Sequence, residues 1–91
     1  MERLTKTNVL EKLNSIIESK KADMKYSYDY CLKNGHDFSM LVDMLETDYN
    51  EARGALSLAY YMEAITIKQL DKYSDELLNV QWKYQHKWLG I

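Results

Sequence analysis

Alternating steps of three and four residues from Val42 land on Leu45, Tyr49, Ala52, Leu56 and Ala59. Past Glu63 and Thr66 the same steps reach Leu70, Tyr73, Leu77, Val80 and Tyr84. Only Glu63 and Thr66 interrupt an apolar series that covers six heptads. A series of this period places its apolar side chains on one side of a helix, and sustained heptads predict helices packed at a shallow angle. The chain has no proline and only three glycines in 91 residues. Sheets need frequent turns, and turns draw on those two residues, so strands are disfavoured. The expected fold class is all-α: a long helical hairpin plus a shorter C-terminal helix, assembling as a dimeric helical bundle.

A first helix is expected over about residues 8–33. Asn8, with Glu11 three residues later, resembles a capping pair. Leu10, Leu13, Ile17, Met24, Tyr28 and Cys31 then recur at helical spacing, with Lys20 and Lys21 interrupting the stripe. Long Lys stems can lie along such a seam with their charges in water. Asn34 and Gly35 mark the hairpin turn, and Asp37 or Ser39 can cap the second helix. The polar run 71–76 contains Ser74, a candidate cap for a third helix. The expected second and third helices are therefore about 38–70 and 75–89. A chain of this length makes one domain, 1–91.

The formal net charge of −2 is unevenly spread. Residues 36–76 hold nine Asp or Glu against three Lys or Arg. No clustered basic face offers itself to phosphates, so a nucleic-acid partner is disfavoured. One cysteine, Cys31, cannot form an internal disulfide, which argues against a stapled secreted scaffold. The N-terminal residues have no apolar core of the signal-peptide kind. The most apolar stretch, 55–67, contains Glu63 and is shorter than the roughly 20 residues that span a bilayer. A cytoplasmic location without membrane association is expected. The abundance of Lys, Asn, Tyr and Ile suggests an AT-rich bacterial or phage genome, and a phage or mobile element is the origin expected for a small regulator of this kind.

No constellation carries catalysis. His36 and His86 are 50 residues apart, in no metal-ligand spacing. Cys31 lies on an apolar stripe, as a small core residue does. Neither catalytic residues, cofactor nor metal ligands are expected, and the chain is read as no enzyme. One enzymatic alternative uses Asp43, Glu46, Asp48 and Glu51, whose i,i+3 pairs suit Mg²⁺ in a helical nucleotide hydrolase.

Surplus apolar and aromatic surface points instead to protein interaction. Beside the heptad seam, Ala55, Leu58, Tyr61, Met62 and Ile65 form a second stripe. A helix apolar on two sides is buried on two sides, so this stripe is the expected self-association surface. Two surfaces are expected to take a partner protein. One is the aromatic, basic C-terminus with Trp82, Tyr84, His86, Lys87 and Trp88. The other is the acidic segment with Asp43, Glu46, Asp48 and Glu51, whose carboxylates could otherwise pair with Lys25 or Lys33. Weak nucleic-acid binding through the C-terminus is a further alternative. The chain thus reads as a small homodimeric regulator or inhibitor that docks on another protein through helix faces.

Overall fold

A computed structural model describes residues 6–91 as three α-helices: α1 Lys6–Asn34, α2 Phe38–Tyr61 and α3 Ile67–Leu89. Arg3 and the rest of the N-terminal stretch lie outside the described residues. Among those described there is no strand, and no helix is long and apolar enough to cross a membrane. At 1.5 Å per residue, α1 is about 43 Å long, close to the 46 Å long axis of the molecule.

The hairpin forms as its residues dictate. Gly35 takes a left-handed φ of 65°. The His36 N–H then reaches back to the Cys31 carbonyl at 3.0 Å, satisfying an acceptor that the end of α1 leaves free. Asp37 caps α2, its side chain accepting from the Met40 N–H at 2.9 Å.

The second boundary corrects the expected helices 38–70 and 75–89. The break falls at 62–66, on the two residues that interrupt the heptad series. Glu63 adopts φ 58°, and the Glu63 and Ala64 N–H groups bond the carbonyls of Tyr60 and Ala59. This is a helix stop of the kind usually built on glycine, here with glutamate in the left-handed position. Thr66 and Gln69 then form a capping box. The Thr66 hydroxyl accepts from the Gln69 N–H, and the Gln69 side chain accepts from the Thr66 N–H at 2.8 Å. Ile65 and Leu70 occupy the positions of a hydrophobic staple around that cap, and both are buried. Ser74 opens no helix: it is buried inside α3, and its hydroxyl donates to the Leu70 carbonyl at 2.8 Å.

The core follows the heptad seam folded back on itself. Leu45, Ala52, Leu56 and Ala59 of α2 meet Leu70, Leu77 and Tyr84 of α3 and Leu13, Ile17, Met24, Tyr28 and Cys31 of α1. The expected interruption of α1 also has a clear form. Lys20 and Lys21 straddle the stripe and turn to opposite neighbours, Lys20 to Glu51 of α2 and Lys21 to Glu76 of α3.

Candidate functional site: an open helix seam

The three seams between helices are closed to different degrees. Along α1–α3, polar side chains bridge the gap: the Tyr73 hydroxyl donates to Asn14 at 3.2 Å, and Lys21 reaches Glu76 at 3.5 Å. The Lys87 ammonium lies 5.2 Å from the Tyr28 ring centroid on the same side.

The α1–α2 seam is different. Lys20 pairs with Glu51 at its middle, and towards the α2 C-terminus an apolar groove of about 180 Å³ stays open. Its walls are Val9, Leu13 and Ile16 of α1 and Ala55, Leu58, Ala59 and Met62 of α2, with Lys12 at the edge. The third helix packs against the heptad seam and does not cover this stripe. Leu58, Tyr61 and Met62 remain 61%, 80% and 55% exposed. Of the expected self-association residues, Ala55 is half-buried in the groove wall and Ile65 is in the core, 5% exposed. The burial of Ile65 is explained by its place just before the Thr66 cap. The groove's α1 wall was not singled out from the sequence; Val9 and Ile16, seven residues apart beside the Leu13–Ile17 stripe, were the available signal.

Gly54 lies on the outer side of α2 in this region. A Cβ at Gly54 would meet nothing within 4 Å, so no internal packing requires glycine there. In a helix interior glycine costs about 1 kcal/mol relative to alanine. A larger cleft of about 690 Å³ lies at the α2–α3 turn, lined by both apolar and polar groups, among them Tyr60, Tyr61, Glu63 and Gln69.

The C-terminal aromatic residues separate into two groups. Tyr84 is buried and Trp88 half-buried against Tyr28, with ring centroids 5.3 and 6.1 Å from it. Lys87 serves the same cluster. These three hold the ends of α1 and α3 together. Trp82, 53% exposed, and His86 point outward.

The acidic segment is not one face. Asp48 turns towards α1, where it accepts from the Ser27 hydroxyl at 3.0 Å, and burial pushes its carboxyl up from the ordinary value. Glu51 pairs with Lys20, so the link to α1 runs there and not to Lys25 or Lys33. Asp43 and Glu46 are exposed elsewhere on the helix. Among the described residues no three His, Cys, Asp or Glu side chains gather as a metal ion would require. Cys31 is fully buried with its sulfur 3.6 Å from that of Met44, and burial raises its thiol above the ordinary range. Such a thiol is a packing group, not a nucleophile.

Fold and surfaces together define a three-helix all-α bundle with one open apolar groove, between α1 and α2, and a cleft at the α2–α3 turn. No protein-family model, curated protein or solved structure matches the chain.

Proposed function

We propose that this chain is a small protein-interaction module that pairs with a second copy of itself and docks on another protein through its helix faces, as a cytoplasmic regulator or inhibitor. The observation that carries the reading is the open apolar groove between α1 and α2, where Leu58 and Met62 stand more than half exposed beside Val9 and Ile16. Contiguous apolar surface of this kind marks association sites on small proteins. A twofold interface must complement itself. Lys12, Lys20, Asp23 and Glu51 lie along this side, two charges of each sign, so a second copy meets no net repulsion. The bare surface at Gly54 permits close approach of a partner helix.

The test is the paired substitution Leu58→Glu/Met62→Glu. Both positions are exposed, so helix content should be retained in circular dichroism. On this reading the pair abolishes self-association. An unchanged solution mass in a folded double variant would overturn the assignment of the groove.

A further inference from the structure

The cleft of about 690 Å³ at the α2–α3 turn differs in chemistry from the α1–α2 groove. Leu10 of α1 and Ala64 and Ile65 of the turn give it an apolar wall. Tyr60 and Tyr61, in the last turn of α2, also line it. Both are exposed, with ring centroids 5.9 Å apart and planes tilted by 54°. Glu63 is the one charged lining residue among those described. Its carboxylate forms no ion pair and no hydrogen bond with another described residue. The cations nearest to it along the chain, Arg53 and Lys68, do not line the cleft, and Arg53 is turned to Ser74.

Glu63 is also where the backbone departs from what its residue type favours. Its φ of 58° lies in the left-handed region, which glycine enters freely and glutamate does not. Strained backbone of this kind collects at ligand-binding sites. The helix stop itself uses only the Glu63 and Ala64 N–H groups, and Thr66 with Gln69 closes the start of α3. The Glu63 side chain therefore serves neither the stop nor the cap, and glycine would close α2 at lower cost.

The lining selects among cations. A single carboxylate is too little for a metal ion, and no three metal-binding side chains gather among the described residues. A hydrated inorganic ion gains nothing from Leu10, Ala64 and Ile65. An organic cation uses every feature. The carboxylate takes its charge, and the apolar wall covers its methyl groups. Aromatic faces attract a cation within about 6 Å of the ring centroid, and two centroids this close leave one cation within reach of both.

We propose that this cleft binds an alkylated ammonium group, with Glu63 as its counter-ion and Tyr60 and Tyr61 as the aromatic wall. A free quaternary amine and a methylated lysine of another protein present the same group. Tyr61 is not part of the groove wall, so the inference stands whether or not the chain pairs with itself.

The experiment titrates the whole chain with choline at millimolar concentrations and follows the amide NMR signals of Glu63, Ala64 and Thr66. The control is choline's neutral analogue, with a tert-butyl group in place of the trimethylammonium group. Choline should shift these signals to saturation, and the neutral analogue should bind about tenfold more weakly or worse. Glu63→Gln and Tyr61→Leu should each weaken choline binding about fivefold or more. Glu63→Gly should melt higher and yet bind choline more weakly, a combination that a merely structural glutamate would not give. A short peptide with one trimethyllysine identifies the source of the group. Tighter binding than choline assigns the cleft to a protein side chain, and equal or weaker binding assigns it to a free amine. Unmoved signals with both probes, equal binding of the neutral analogue, or choline binding undiminished in Glu63→Gln or Tyr61→Leu would overturn the inference.

Discussion

Arg53 and Ser74, 21 residues apart in sequence, are joined by a hydrogen bond from the guanidinium to a buried hydroxyl. The same hydroxyl donates to the Leu70 carbonyl, so Ser74 is used as both donor and acceptor at the α2–α3 seam. Ser74→Ala removes the acceptor and leaves the Arg53 charge without its partner. Hydrogen bonds to charged groups contribute more than neutral ones, so a loss of about 1–2 kcal/mol is expected in urea denaturation.

Glu63 holds a left-handed backbone that costs a non-glycine residue roughly 1–2 kcal/mol. Its N–H and that of Ala64 close α2, so the conformation is enforced by the turn itself. Glu63→Gly should raise stability by about 1 kcal/mol, seen as a higher melting temperature. A fall in melting temperature would mean that the glutamate side chain contributes something the backbone does not.

Gln81 is buried on α3, and its side-chain carbonyl oxygen finds no hydrogen-bond partner among the described residues. A buried acceptor without a donor is destabilising by about 1–3 kcal/mol. Leucine has a similar volume and no such oxygen. Gln81→Leu should therefore stabilise the bundle by about 1 kcal/mol or more in the same denaturation assay.

Asp48 gives a pH dependence of definite sign. Burial pushes its carboxyl above the ordinary 3.8, while the Ser27 hydrogen bond pulls the other way. The folded chain thus holds this proton more tightly than the unfolded one. The contribution to stability falls as pH rises from 3.8 through the raised value, and at neutral pH the ionised group is a liability. Asp48→Asn keeps an acceptor for Ser27 and removes the charge. It should be more stable than the unaltered chain at neutral pH, and the advantage should shrink as pH falls through the raised value and be gone below 3.8. Melting curves across that range check the sign.

Much of the architecture is legible in the sequence because apolar spacing reports directly on which side of a helix is buried. The series from Leu45 to Tyr84 became the core on both helices, and the stripe from Leu13 to Cys31 supplied its third wall. The position of the second break was hidden by residue identity. A helix stop reads most clearly when glycine takes the left-handed place, and here Glu63 takes it. The compensating signal was Thr66 with Gln69, the spacing of a capping box. Ser74 offered a false cap because a serine inside a helix can bond backward to its own backbone, as it does to Leu70.

The candidate surfaces were legible as residues but not as places. Periodicity within one helix cannot say which neighbour covers it. Trp82 stayed outside while Tyr84 and Trp88 turned in against Tyr28, two and six positions along the same helix from Trp82. Asp48 and Glu51 left the acidic group because the register of the first hairpin turn set Ser27 and Lys20 of α1 against them.

Closure of the open α1–α2 groove by a second copy of the chain is the claim on which the functional reading turns. Its most direct test is the solution mass of the unaltered protein, by size-exclusion chromatography with light scattering over a range of concentrations. The predicted result is a species of twice the 10.8 kDa chain mass, dissociating on dilution. A clean 10.8 kDa species at every concentration would contradict it.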